Sequence, residues 1–145
     1  MKKKVEIAER KPSTCTFQNL HRASLAATKI YDQKLSKSGL TINQFSLLKT
    51  INHISPVSVS DLALEIRLDR TTLVRNLKPL EKAGLVVDVS PKGTRNRQLQ
   101  LTSDGIKRYE SAELLWQEAQ EHIEQQLGKD NLNTLISLLF QIETL

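Results

Sequence analysis

The sequence predicts a mainly α fold with a small β-hairpin wing, organised as a winged helix-turn-helix between helices at both ends of the chain. Three observations predict it. From Ser58 to Thr102, a short helical pattern, a three-residue break and a longer helical pattern closing at Gly84 follow one another. Two β-prone runs come next, residues 85–89 and 98–101, joined by a loop rich in Pro, Gly and Arg. Flanking this block, apolar residues recur at spacings of three and four, as on one face of a helix.

Each element has its own signal. Residues 1–12 carry the basic run MKKK without apolar periodicity and read as a flexible, solvated tail. From residue 13, Phe17, Leu20, Ala23, Ala27, Ile30, Tyr31 and Leu35 keep helical spacing. Ser13 or Thr14 is the expected cap, and Gly39 is expected to end the helix in a left-handed conformation. Thr41 and Gln44 form a capping box, and Leu40 with Phe45 a hydrophobic staple. The helix they start carries Phe45, Leu47, Leu48 and Ile51 into the core and stops before Pro56. Val57 reads as a one-residue strand. Ser58 and Asp61 suggest a second capping box, opening a short helix that buries Leu62, Ala63 and Ile66. Asp69 is the cap expected for the helix over 70–83. Pro79 inside it removes one backbone hydrogen bond to Arg75, at a cost of roughly 3 kcal/mol. Leu80 and Gly84 keep the register, so a kink is expected there rather than an end. Thr102 caps a long helix with Ile106, Tyr109, Leu114, Leu115, Trp116, Ile123 and Leu127. Gly128 breaks it, and Asp130 is the expected cap of a last helix with Leu132, Leu135, Ile136, Leu138, Leu139 and Ile142.

At 145 residues the chain suits one domain with a real core. Its net charge is +5, unevenly spread. From Arg67 to Arg97 there are eight Lys/Arg (Arg67, Arg70, Arg75, Lys78, Lys82, Lys92, Arg95, Arg97) against three acids (Asp69, Glu81, Asp88). From Glu110 to Leu145 there are seven acids and one base, Lys129. A basic middle and an acidic end imply one surface that faces phosphates and another that does not. The single cysteine, Cys15, excludes an internal disulfide and a multi-cysteine metal site. No apolar run approaches the ~20 residues of a membrane span, and the N-terminus lacks the apolar stretch of a signal peptide. The expectation is a cytoplasmic protein.

The helix over 70–83 carries the chemistry. Leu73, Leu77 and Leu80 share one side; Thr71, Thr72, Arg75, Lys78 and Lys82 fall on the other or at its borders. After Asp69 this helix has no acid before Glu81, whereas an ordinary solvated face mixes both signs. In a winged helix-turn-helix such a helix enters the major groove of double-stranded DNA. Arg75 suits a bidentate contact to guanine, Thr71 and Thr72 suit bases or phosphates, and Arg70, Asn76 and Lys78 complete the set. In the loop, Lys92, Arg95 and Arg97 come without an acid, which suits a narrow minor groove. Ser58 and Ser60 at a helix N-terminus fit a phosphate and fit plain capping equally. A winged-helix module that binds protein instead would interrupt this cationic face with apolar anchors.

The segment Leu-Asp-Arg-Thr-Thr-Leu-Val-Arg-Asn-Leu, the exit Leu-Glu-Lys-Ala-Gly-Leu-Val and the run from Arg95 to Leu101-Thr102-Ser103-Asp104-Gly105 resemble the MarR family of bacterial transcription regulators. The resemblance covers residues 13–145. It implies a homodimer through helices at 13–38 and 103–145, a DNA-binding lobe at 41–102, and a pseudo-palindromic operator. It further implies repression relieved by a small ligand or by oxidation. Thr71, Thr72 and Arg75 match the base-reading part of the recognition helix, and Arg95 the wing arginine. One departure is that the family's acid two residues before that arginine is Gly93 here.

Control has two candidate routes. Arg22, Tyr31, His53, Tyr109 and Trp116 are the expected lining of a pocket at the junction of dimer helices and DNA-binding lobe, offering a cation and aromatic faces to a small anionic aromatic effector. Cys15, near His21 and Arg22, is the candidate for a redox-sensing regulator, although it lies early for the sensing position of the oxidation-responsive branch. His21, His53 and His122 are scattered without metal-ligand spacing, so no metal is expected. No nucleophile–base pair, phosphate loop or paired carboxylates stand out. The chain therefore reads as a DNA-binding protein without a cofactor rather than an enzyme.

Overall fold

A computed structural model describes residues 11–145 of the chain; most of the tail expected at 1–12 lies outside them. The described elements run α1 (Thr16–Leu35), a 3-10 turn (Ser36–Ser38), α2 (Ile42–Ile54), β1 (Val57–Ser58), α3 (Val59–Ile66), α4 (Arg70–Lys82), β2 (Val86–Asp88), β3 (Gln98–Leu101), α5 (Ser103–Leu127) and α6 (Lys129–Glu143). None of these helices is long and apolar enough to cross a membrane. The mainly helical, winged architecture follows the sequence pattern closely.

Local chemistry sets most boundaries. Thr41 Oγ1 accepts the Gln44 N–H at 3.2 Å while Gln44 Oε1 accepts the Thr41 N–H at 3.0 Å, so the capping box is complete. At the start of α3 only half a box forms: Ser58 Oγ accepts the Asp61 N–H at 3.1 Å, and no bond returns. Aspartate is one methylene shorter than the glutamate that normally reaches back. Pro79 stays inside one continuous α4, as the register of Leu80 predicts.

Three caps differ from expectation. Helix α1 begins at Thr16, and neither Ser13 nor Thr14 caps it. Ser13 Oγ instead accepts the Cys15 N–H at 3.0 Å, and Asn19 folds back onto the Ser13 backbone, satisfying the lead-in before the helix starts. Gly39, at φ 74°, ends the 3-10 turn rather than α1, because Ser38 Oγ donates to Leu35 O at 2.6 Å and tightens the last turn. Asp130 is not a cap: Gly128, at φ 87°, occupies that position, and Asp130 lies in the first turn of α6.

The sheet has order β1-β3-β2, antiparallel throughout, with Val57 opposite Leu99 and Val86 opposite Leu101. It closes one side of a core formed by Phe45, Leu48 and Ile51 from α2, Leu62 from α3, and Leu73, Leu77 and Leu80 from α4. The helices outside this lobe are barely buried. Helix α1 buries only Leu35, α5 only Gly105, Ala112 and Ala119, and α6 nothing.

The passage from wing to α5 is the tightest joint. Thr102 Oγ1 accepts the Gly105 N–H at 3.0 Å and donates to Gly84 O at 2.6 Å, and the Thr102 N–H donates to Leu85 O at 3.0 Å. This draws the first turn of α5 onto the backbone entering β2. A Cβ on Gly105 would stand 2.1 Å from Leu85 O. Both sides of that contact are backbone, so relief requires α5 to move off the sheet. Gly105→Ala should therefore destabilise the fold by roughly 1–3 kcal/mol. Ser111→Ala, exposed on the same helix, should change it by less than about 0.5 kcal/mol. Thermal melts of the two variants decide the matter, and equal melting temperatures would remove the joint from the account.

Candidate nucleic-acid interface

The break between α3 and α4 is built by Arg67, which takes a left-handed conformation at φ 61°. Its N–H donates to Leu64 O at 3.3 Å, and the Leu68 N–H donates to Ala63 O at 3.1 Å. Two residues on, Asp69 caps α4, accepting the Thr72 N–H and the Thr72 hydroxyl, each at 2.8 Å. These bonds hold the Asp69 carboxyl below the usual carboxylate range; Arg75 nearby adds a smaller pull in the same direction. The acid that opens α4 is thus committed to capping it.

Leu73, Leu77 and Leu80 are buried and fix the rotation of α4. Arg70, Thr71, Val74, Arg75 and Lys78 then line one shallow concavity of about 390 Å³. Arg70, Thr71, Arg75 and Lys78 are exposed, while Thr72 and Asn76 are half-buried. The Thr72 hydroxyl faces the cap, which leaves Thr71 as the open hydroxyl of the pair. Ser60 Oγ accepts from Arg70 Nη1 at 3.4 Å, so Ser60 joins this group; the Ser58 hydroxyl is occupied as the cap of α3. Val74 is the member that the sequence reading missed. Its spacing from Thr71 and Lys78, three and four residues, is the signal that places it on their face.

The wing divides its three cations. Lys92 and Arg95 are exposed and have no acidic partner among the described residues. Gly93 stands at φ 86° in open space, beside a tight turn in which Thr94 bonds to Pro91 O. Arg97 instead pairs with Glu81 of α4, and its Nε lies 3.6 Å from Asp88 Oδ2. The other Asp88 oxygen accepts the Ser90 N–H at 2.9 Å and the Gln98 N–H at 3.1 Å. Hydrogen bonds from Ser90 first, then Gln98, keep the Asp88 carboxyl low.

The five residues expected to line an effector pocket are placed differently. Tyr109 and Trp116 stack on buried Phe45 at centroid separations of 5.7 and 6.0 Å, and Lys49 Nζ sits 4.1 Å from the Trp116 ring centre. Both rings thus pack on Phe45, and Lys49 also covers Trp116. The Tyr31 hydroxyl donates to Gln120, and burial pushes its phenol up. Arg22 and His53 are exposed. None of the five lines the large apolar groove of about 870 Å³, which lies between α1, α5 and α6 and is floored by Leu20, Ala27, Ile30, Ile123 and Leu139. Cys15 is free and exposed. His21 stacks on Phe17, at 5.8 Å between centroids.

The cap on α4 has a pH signature. A depressed pKa in the fold means that the Asp69 cap is at full strength above the ordinary aspartate value, about 3.9. It is lost as pH falls through the lower folded value. Asp69→Asn caps without ionising and should flatten that part of the acid-side fall in melting temperature. Parallel acid-side profiles for the two proteins would show that the carboxylate does not cap α4.

Comparison with known proteins agrees with this geometry. The MarR family profile matches residues 40–88, from the residue before the capping box of α2 to the end of β2. The HTH-type transcriptional regulator FarR of Neisseria gonorrhoeae is 32% identical over 109 residues, which span 74% of this chain and 75% of that protein. The transcriptional repressor CouR bound to a 23-mer DNA duplex superposes with a TM-score of 0.81 at 27% identity, over 89% of this chain and 92% of that one. CouR bound to p-coumaroyl-CoA superposes equally well, at 25% identity over 89% and 91% of the two chains. The Mycobacterium tuberculosis regulator MosR in complex with DNA is 31% identical, with a TM-score of 0.77 over 90% and 96% of the two chains. On the relative shared across two thirds of both chains and on the matching fold, this chain belongs to the MarR family of transcriptional regulators.

Proposed function

We propose that the chain acts as a homodimeric, sequence-specific repressor that binds a pseudo-palindromic DNA operator and is released from it by a small ligand. The observation that carries this reading is the face of α4, where Arg70, Arg75 and Lys78 surround Thr71 and Val74 with the neighbouring acid tied up as a cap. Guanidinium, hydroxyl and methyl groups together can meet guanine, phosphate and thymine. CouR and MosR, which share the fold, have been solved on DNA.

The dimer rests on α6. Leu135, Ile136, Leu138, Leu139, Phe140 and Ile142 all remain exposed, next to the apolar groove between α1, α5 and α6. So much contiguous apolar surface marks an interface. Two copies joined there must set their α4 helices about one DNA turn apart, roughly 34 Å, to meet successive major grooves. A ligand releases DNA only if it favours a different spacing. CouR bound to p-coumaroyl-CoA supports an anionic aromatic effector for this chain too. The free, exposed Cys15 supports a second reading, release by oxidation.

Sedimentation at micromolar concentration should show a dimer; a monomer would sink the paired-helix reading. On a duplex that the protein itself selects from a random pool, Arg75→Ala should cost about 1–3 kcal/mol and relax one base preference per half-site. Lys92→Ala should weaken binding to all sequences alike. An Arg75→Ala protein with full affinity and full selectivity would remove α4 as the reading helix. Peroxide that releases wild type but not Cys15→Ser would favour the thiol over the small ligand.

A further inference from the structure

We propose that Arg97 is not a DNA contact but a positioning residue, a strut that ties the base of the wing to the C-terminal end of the recognition helix. Its guanidinium pairs with Glu81, in the last turn of α4, and lies 3.6 Å from Asp88, the last residue of β2. Arg97 itself immediately precedes β3. One side chain therefore joins both strands of the hairpin to α4. Asp88 reinforces the joint from its other oxygen, which holds the Ser90 and Gln98 N–H groups at the two roots of the loop.

Charge argues against a phosphate contact at this residue. One guanidinium between two carboxylates leaves the cluster with a net charge of −1, which repels a phosphate. Lys92 and Arg95, further out on the loop, have no such acids among the described residues. Arg97 is 39% exposed and its partners 26% and 34%. Ion pairs this open add little to stability, so their effect lies in where the wing is held. Gly93, further out on the loop, offers no side chain for such an anchor. The Arg97 cluster supplies one at the base of the loop rather than at its tip.

This inference rests on the DNA-binding reading above, and the test separates the two. Wild type, the variants Arg97→Ala, Arg97→Lys, Glu81→Ala and Arg95→Ala, and the double variant of Arg97→Ala with Glu81→Ala each select duplexes from a random pool. The wild-type winner is then titrated against salt with every protein. Arg97→Ala and Glu81→Ala should each weaken binding roughly tenfold, and the double variant should be no worse than the weaker single, as for residues acting as one unit. Their salt slopes should match wild type, whereas Arg95→Ala should flatten the slope by about 2 for a dimer. Base preferences should relax only at the positions flanking those read by α4. Arg97→Lys, which keeps the charge but reaches one acid at a time, should recover part of the loss. A flattened slope for Arg97→Ala, tighter binding by Glu81→Ala, unchanged affinity in both, or a loss with every base preference intact would each overturn the strut. A wild-type protein that enriches no sequence would overturn the DNA-binding reading and the strut with it.

Discussion

Phe45, only 1% exposed, lays its ring against Tyr109 and Trp116, and through that stack α2 is held to the long helix α5. Burying a phenylalanine is worth roughly 1.5–3 kcal/mol, and well-placed aromatic pairs add about 0.5–1.5 kcal/mol. Helix α2 also packs on α3, α4 and β3, so the orientation of the whole reading lobe follows from this one contact. Two polar ties flank it. Arg108 Nη1 donates to Ser38 O at 3.1 Å before α2, and Thr102 binds the backbone of Gly84 and Leu85 after α4. The recognition helix is therefore placed relative to α5 by packing, and α5 in turn carries the surface that continues into α6.

Three acids of the lobe share one kind of placement. Asp69 is committed to the Thr72 N–H and hydroxyl, Asp88 to the loop roots, and Glu81 to Arg97. Each of these three carboxylates is engaged by a donor belonging to the fold. Among the described residues, the cations of the α4 face and the wing tip form no ion pair; Arg70 touches the Ser60 hydroxyl and Arg75 lies near Asp69. A field of one sign results from the pairing of acids, and a count of charges along the chain shows only part of it.

This contrast explains what the sequence could reveal. Caps and turns depend on neighbours a few residues away, so the box at Thr41, the caps at Thr102 and Asp69 and the breaks at Gly84 and Gly128 were legible. So was the inward stripe of Leu73, Leu77 and Leu80, which fixes the outward residues by periodicity alone. Where a local signal had a local rival, reading failed: Asn19 displaced the Ser13 cap, and Ser38 inserted a 3-10 turn before Gly39. Contacts between distant residues left no trace. Glu81 and Arg97 are sixteen positions apart in sequence, and nothing in the loop composition separates Arg97 from Arg95. The packing of the aromatic pocket candidates was hidden for the same reason. Tyr109 and Trp116 lie on α5, but only the fold shows that both pack on Phe45 and that Lys49 covers Trp116.

The distribution of burial also links folding to assembly. The lobe from α2 to β3 has a core of its own, whereas α1 buries one side chain in twenty residues and α6 none in fifteen. Isolated helices shorter than about 12–15 residues are marginal in water, and α6 is at that limit. Its order must come from packing, and the apolar residues that α5 and α1 leave open provide the surface for it. If a second copy covers that surface, the same contacts stabilise α1 and α6 and fix the distance between two α4 helices. Stability and operator spacing then depend on protein concentration together, because both draw on one association equilibrium. On the proposed dimer, an effector that wedged these helices would act on the spacing without touching the Phe45 stack. The reading lobe can thus stay rigid while its separation from the partner's lobe changes.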